Sequence, residues 1–302
     1  MIYERILVVR DKTRLEQLIE RFNSKAQAEF YINRSGGDFQ HYLVEHEVFI
    51  QALSRLESQL KTCCKYKILY RSFLSSFIFT ETDLILVIGQ DGLLANTAKY
   101  VDGQPIIGIN PDFDRYDGVL VKHQLDTLET NLKSWLEGKI NVEEVTMAQA
   151  TLGDGQTLLA FNDFYIGAAT HVSSRYQISF EGKQENQSSS GVLISTGAGS
   201  TGWLSSVFNM TTAISGKIVK QPILNRQDNQ LVFVVREPFL SKMSQVSIGY
   251  GHITTSRELK ITSHMPTNGV IFSDGIESDF LAFNSGSTVT VGLADKKALL
   301  VV

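Results

Sequence analysis

The sequence of 302 residues has only two cysteines, Cys63 and Cys64, side by side. Neighbouring cysteines rarely bridge each other, and no CxxC or Cys/His ligand spacing occurs, so neither a disulfide scaffold nor a zinc module is expected. Two ordinary thiols in a reducing compartment are the plain reading. Long apolar runs are also missing: no stretch approaches the roughly 20 residues that cross a bilayer. The opening MIYERILVV is too short an apolar run for a secretory leader and is not an Arg- and Ser-rich amphipathic one. A cytoplasmic protein without a membrane partner is therefore expected. An excess of positive charge is absent as well, with 28 Lys and Arg against 32 Asp and Glu. That balance lacks the basic footprint of a nucleic-acid binder, while leaving room for a small phosphorylated ligand, which needs only a local site. What is there is ordinary globular composition, 43% hydrophobic and 20% charged, in a chain long enough for two domains. No internal repeat is visible.

The first 120 or so residues alternate between short apolar runs and helical patterns. Ile6 to Val9 reads as a strand. Leu15, Leu18, Ile19 and Phe22 then recur at helical spacing, with Asp11 or Thr13 as the N-cap. The charges between Glu16 and Lys25 read as the solvated face of that helix. A second helix is expected from about Tyr42 to Leu60 and a strand near Ile68 to Tyr70. Asp83 to Ile88 is a fully apolar strand of the buried parallel kind, followed by helical Leu93 to Tyr100 and strand Pro105 to Ile109. Strand, helix and strand at this spacing signal an open, mostly parallel α/β sheet.

One more helix spans Leu125 to Leu136, and then the texture changes. Short β patterns dominate: Thr157 to Ile166, Tyr176 to Phe180, Val192 to Thr196, Leu231 to Val235, Val246 to Tyr250, Glu258 to Ile261, Gly269 to Phe272 and Thr288 to Val291, many separated by Gly, Asn and Ser turns. Gln187 to Ser190 reads as a loop tip. The expected organisation is an α/β domain over residues 1–140 and a β-rich, sandwich-like domain over 141–302, whose last residues return to the first domain.

Three segments could carry chemistry. In Val87-Ile-Gly-Gln-Asp-Gly92 a buried strand breaks into a glycine loop that opens a helix. Ligands bind at the carboxyl ends of strands in such sheets, and amides at a helix start favour anions. A carboxylate beside phosphates repels them, so Asp91 makes sense there if it holds a metal ion or accepts a hydroxyl proton; otherwise it is a plain cap on a turn. The second segment, Phe161-Asn-Asp-Phe164, lies in an apolar strand, where adjacent residues face opposite ways, so Asn162 or Asp163 should face inward or mark a bulge. An interior Asp needs a partner or a ligand. The third, Gly191 to Trp203, packs four Gly and four hydroxyl residues into the twelve positions from Gly191 to Gly202. There Ser200 or Thr201 would cap a helix from Trp203 to Ile214.

These segments, in this order and on this background, resemble the NAD kinase family, whose members carry a GGDG loop, an Asn-Glu or Asn-Asp pair and a TPTGSTAY-like loop. The matching residues are Gly89-Gln-Asp-Gly92, Asn162-Asp163 and Thr196 to Trp203. Asp11-Lys-Thr-Arg14, Ile107 to Asp112, Tyr116-Asp-Gly118, Val235-Arg-Glu-Pro238 and Ser273-Asp-Gly275 add to the match, which looks closest to the divergent mitochondrial-type branch and its bacterial relatives. The resemblance implies an NAD kinase fold with an ATP-binding first domain and an NAD-binding second one. It also implies a reaction in the cleft between them: ATP with Mg²⁺ gives its γ-phosphoryl to the 2′-hydroxyl of the adenosine ribose of NAD, making NADP. Asp91 would take the hydroxyl proton late in the transfer, because a ribose hydroxyl is far too weak an acid to be deprotonated beforehand. Gly89, Gln90 and Gly92 would line the phosphates. Asn162 and Asp163 would grip the dinucleotide, and Thr196, Gly199, Ser200 and Thr201 would contact it. No protein side chains are assigned to the metal, which comes with ATP. Family members are homo-oligomers, dimers or tetramers.

The sequence also departs from the family pattern. Gln90 replaces the second glycine of the first loop; a left-handed backbone there would cost Gln roughly 1 kcal/mol, and its side chain would crowd a phosphate. Ser190 stands where many members have Asp, and Gly202-Trp203 where they have Ala-Tyr. Trp203 is either a stacking surface for a base or core. Two other functions stay in view: a dinucleotide-binding protein without turnover, and a lipid or sugar kinase with a GGDG-like loop. The histidines, His171 and His252 among them, read as structural, and Asp274-Gly275 reads as a β-turn or a site.

Overall fold

A computed structural model describes residues 2–302. The chain divides into two compact units, Met1–Glu143 with Leu299–Val302, and Glu144–Ala298.

The first unit runs β1 (Arg5–Arg10), α1 (Arg14–Phe22), α2 (Lys25–Arg34), α3 (Phe39–Cys63), β2 (Lys65–Tyr70), β3 (Asp83–Ile88), α4 (Asp91–Tyr100), β4 (Pro105–Ile109) and α5 (Leu125–Leu136). Its strands lie in the order β2-β1-β3-β4, all parallel, and Leu299 and Leu300 extend the sheet beside β4. All six residues of β3 are buried, as a central parallel strand requires. On one face Ile6, Val8, Leu84, Leu86, Ile107 and Ile109 pack against Leu53, Leu56 and Leu60 of α3 and Leu128, Leu132 and Trp135 of α5. Because the strands are parallel, their carboxyl ends share one edge, where the glycine loop after β3 emerges.

Local chemistry sets the helix boundaries. Thr13 caps α1 in a capping box with Glu16. The helix stops at Asn23, in the left-handed conformation that Asn tolerates, and Ser24 caps a separate helix, α2. The charges from Glu16 to Lys25 therefore do not share one helix face, contrary to the expectation from sequence. Helix α3 starts earlier than expected because Asp38 caps it, accepting from the Gln40 amide at 2.8 Å.

The second unit is almost wholly β. It holds β5 (Val142–Leu152, entering from the first unit), β6 (Thr157–Ala160), β7 (Asp163–Ala168), β8 (Ser174–Phe180), β9 (Lys183–Ser189), β10 (Val192–Ser195), α6 (Trp203–Ser215), β11 (Leu231–Val235), β12 (Tyr250–Ile253), β13 (Leu259–Ser263), β14 (Gly269–Ser273), β15 (Ile276–Ala282) and β16 (Thr288–Val301, leaving for the first unit). One antiparallel sheet is ordered β12-β11-β10-β7-β14-β15 and a second path runs β16-β13-β8-β9, with β5 and β6 joined to β16. Phe164, Ile166, Ile194, Phe233 and Ile271 of the first share one core with Ile178, Ile261 and Val289 of the second. The α/β sheet and the β-rich unit match the fold class expected.

Three strand expectations change. Thr157 to Ile166 is two strands, β6 and β7, broken at Phe161 and Asn162. Gln187 to Ser190 is no loop tip: Gln187 lies in β9, paired with β8, with its side chain held by Tyr176 and the Ile248 carbonyl. Composition misled here, because cross-strand partners satisfy a polar tract that looks like a loop. The strand expected from Val246 begins only at Tyr250.

Candidate functional site

The first unit contributes the loop between β3 and α4. Gly89 has φ +156°, and a Cβ there would lie 3.0 Å from the Leu93 side chain, so this glycine is fixed by the turn. Gln90 has φ −94° and ψ 164°. The feared backbone cost is therefore absent: the chain puts its unusual torsion on Gly89 and leaves Gln90 extended. The Gln90 side chain lies within hydrogen-bonding reach of the Tyr116 hydroxyl. A Cβ at Gly92 would meet nothing within 4 Å, so the fold itself does not demand that glycine.

Asp91 is the first residue of α4, not merely a cap before it. Its carboxylate accepts three consecutive amides, Val119 at Oδ2 (3.0 Å) and Leu120 and Val121 at Oδ1 (2.8 and 2.9 Å). An ionised carboxylate offers about four lone-pair positions. Oδ1 is filled, and one position on Oδ2 remains for a further donor. In the first turn of α4 the Leu93 amide donates to the Gln90 carbonyl at 3.0 Å, which leaves the Asp91 and Gly92 amides to favour an anion.

The second unit gathers Asn162, Asp163, Thr196, Gly199 and Ser200. Asn162 and Asp163 stand at the break between β6 and β7. Neither side chain has a hydrogen-bond partner among the described residues, although both are half-buried. Burial, and second the charge of Asp274, pushes the Asp163 carboxyl up to about 7. Unpartnered groups in this state are open to a ligand.

The loop after β10 is tied to that break. The fully buried Thr196 donates its hydroxyl to the Phe161 carbonyl at 2.6 Å and accepts from the Gly199 amide at 3.2 Å. A Cβ at Gly199 would lie 2.2 Å from the Asn162 carbonyl oxygen, so only glycine lets the two backbones approach this closely. Ser200 donates to the Gly197 carbonyl at 2.7 Å. Ser200 and Thr201 belong to a 3₁₀ turn, Ala198–Thr201, and α6 begins after Gly202 with no side-chain cap. The expected Ser or Thr cap is thus not formed, because the turn uses the Ser200 hydroxyl first. Trp203 stacks nearly parallel to Tyr165, at 9° and 6.0 Å between centroids, and Arg236 lies 5.0 Å from its ring. These rings line a cavity of about 700 Å³ with Phe272 and Phe280.

Two features were missed or left open in the sequence. Glu45 of α3 is paired with Arg14 and with Arg115 (3.5 Å), and Arg115 in turn with Asp112 (3.2 Å). Nothing in the sequence marks Glu45, since its partners are distant in the chain. The second is Asp274. The turn from β14 to β15 has positive φ at both Asp274 and Gly275 (55° and 70°), as a two-residue hairpin requires. The carboxylate there accepts the amides of Phe161, Asn162 and Asp163 at 3.1, 2.6 and 3.3 Å.

No family model matches the chain. Among curated proteins it is 30% identical over 132 residues to an NAD kinase of Clostridium kluyveri, covering 41% of this chain and 45% of that one. It is 28% identical over 161 residues to an NAD kinase of Saccharolobus solfataricus, covering 53% and 62%. The chain thus spans about half the length of the curated relatives it matches. A crystal structure of an NAD kinase from Archaeoglobus fulgidus in complex with ATP superposes with a TM-score of 0.57 at 16% identity, over 98% of this chain and 92% of that one. The chain has the NAD kinase fold. Yeast NADH kinase complexed with NADH, at a TM-score of 0.59 and 13% identity over 100% and 84% of the two chains, shares it too. In that fold the strand-to-helix loop at Asp91 and the strand break at Asn162 belong to different units of this chain.

Proposed function

We propose that this protein is an NAD kinase, which transfers the γ-phosphoryl of ATP to the 2′-hydroxyl of the adenosine ribose of NAD. The observation that carries the reading is the Asp91 carboxylate, set on the first turn of α4 with one acceptor position left at Oδ2. Similarity to NAD kinases in sequence and fold supports it. In the reaction the O2′–P bond forms as the bond from the γ-phosphorus to the β-γ bridging oxygen breaks, ADP leaves, and the hydroxyl proton passes to Asp91. The Asp91 and Gly92 amides at the start of α4 and the open space at Gly92 suit the phosphates. The side chains of Asn162 and Asp163 suit the hydroxyls and amide of a dinucleotide, and the Thr196 loop holds the backbone that carries them.

Among the described residues no group of three His, Cys, Asp or Glu side chains converges on a metal position. Mg²⁺ would arrive on the phosphate oxygens of ATP, where it neutralises charge on the transferring group. Placement in the mitochondrial-type branch, residence in the cytoplasm and assembly as a homo-oligomer complete the reading. No described helix is long and apolar enough to cross a membrane, and β15 leaves an exposed sheet edge that a second copy would cover.

The test is incubation of the purified protein with ATP, Mg²⁺ and either NAD or NADH, following NADP or NADPH with an NADP-specific dehydrogenase. Formation of NADP by the protein, and its loss in Asp91→Asn, is the expected result. Binding of NAD by calorimetry without any product would overturn the kinase and leave a dinucleotide-binding protein on the same fold.

A further inference from the structure

Asp274 lies 112 residues from Asn162 in the chain, yet its carboxylate gathers the amides of the whole Phe161–Asp163 turn. Oδ1 takes Asn162 and Asp163, Oδ2 takes Phe161, and the Asp274 amide donates back to the Asp163 carbonyl at 3.0 Å. The turn is held from its other side by Thr196, whose hydroxyl and amide bond the carbonyls of Phe161 and Asn162. The three main-chain donors of the turn thus go to Asp274, while the Phe161 and Asn162 carbonyls go to Thr196. The Asn162 and Asp163 side chains have no partner among the described residues, so nothing but this backbone clamp aims them.

The hairpin restricts which residues can stand at position 274. Both turn residues of the β14–β15 hairpin have positive φ, a conformation for which Asn-Gly, Asp-Gly and Gly-Gly are the favoured pairs. Gly-Gly would form the hairpin without reaching the turn, and Asn-Gly would reach it with one acceptor oxygen in place of two. Asp at this position does both.

We infer that Asp274 is a positioning residue for dinucleotide recognition, fixing the Phe161–Asp163 backbone so that the Asn162 and Asp163 side chains meet the ribose and amide groups of the ligand. The inference rests on the dinucleotide reading given above. The test compares wild type with Asp274→Asn, which is isosteric and keeps Oδ1 as an acceptor, and Asp274→Ala, which removes every acceptor. Steady-state kinetics should show KM for NAD raised about tenfold in Asp274→Asn and further in Asp274→Ala, with KM for ATP and kcat within about twofold of wild type. Unchanged KM for NAD in either folded variant overturns the inference. So does a parallel rise of both KM values, or failure of both variants to fold, since Asp274 would then serve stability alone. If wild type makes no NADP, the kinase reading fails by itself and the readout becomes NAD affinity by calorimetry. Binding weakened about tenfold by Asp274→Asn then still supports the positioning role, whereas equal affinity, or no binding by wild type, removes it.

Discussion

The two units each contain an aspartate whose carboxylate gathers three successive backbone amides, but the two play opposite parts. In the first unit Asp91 carries the chemistry proposed and the loop it holds, Val119 to Val121, surrounds it. In the second unit the clamp, Asp274, carries none, and the residues it holds, Asn162 and Asp163, are the ones proposed to meet ligand. The first arrangement fixes a reactive group by its own hydrogen bonds. The second fixes the proposed ligand-facing side chains from behind and leaves them unpaired, and burial, with the charge of Asp274 second, pushes the Asp163 carboxyl up to about 7. A group that must accept a proton does better with part of its valence satisfied and in place; a group that must exchange partners with a ligand is better kept open.

The largest expected effect bears on the first half of that contrast. Asp91→Asn should lower kcat for NADP formation by about 10²–10⁴-fold. The loss of one amide bond should lower stability by only about 1 kcal/mol in denaturant unfolding. A folded variant of normal activity would show that Asp91 merely holds the 119–121 loop, making the two aspartates alike.

The second half is sharpened by pH. The folded pKa of Asp163 lies above its ordinary 3.8, at about 7. Between these values the folded state keeps a proton that the unfolded state has released, so stability falls as pH rises through this window and is lowest above it. The full shift corresponds to about 4 kcal/mol, which solvent screening of this half-buried group reduces. Asp163→Asn should flatten this part of the curve in urea unfolding measured from pH 4 to 8. An unchanged slope would mean that Asp163 is solvated.

Glycines make the next test. Gly199→Ala forces a Cβ toward the Asn162 carbonyl and should destabilise the second unit by about 1–3 kcal/mol, read as a lower melting temperature. Gly92→Ala meets no atom and sits in the first turn of a helix, so stability should hold or rise by up to about 1 kcal/mol while KM for ATP increases. The smallest effect is expected from Gln90→Gly. With an extended backbone at Gln90 there is no strain to relieve, and stability should change by only a few tenths of a kcal/mol. A gain of more than about 1 kcal/mol would show that Gln90 is strained after all.

Much of this was legible in the chain itself. The apolar run from Asp83 to Ile88, the glycine loop behind it and the change of texture beyond Val142 announced an α/β sheet followed by β structure, because periodicity and turn residues are local properties. Asp91, Asn162 and Asp163 stood out because polar groups at strand ends are conspicuous against apolar neighbours. The cap at Ser200, the loop at Gln187 and the left-handed torsion feared at Gln90 went astray for one reason. Each depended on which distant or adjacent group takes a hydrogen bond or a torsion first, and composition does not rank such competitors. Glu45 was invisible, and Asp274 stayed open between turn and site, because their partners come from separate stretches of chain.

The sequence by itself determined the fold class, and it supplied the loops proposed to face ligand and the residue types proposed to do the chemistry, since each of these follows from short-range pattern and side-chain character. Only the tertiary structure decided how those residues are held. It brought the β14–β15 turn to the break between β6 and β7 and the 119–121 amides to Asp91. It left one oxygen position of Asp91 and the whole polar ends of Asn162 and Asp163 without partners, because hydrogen-bond saturation depends on neighbours in space and not in sequence.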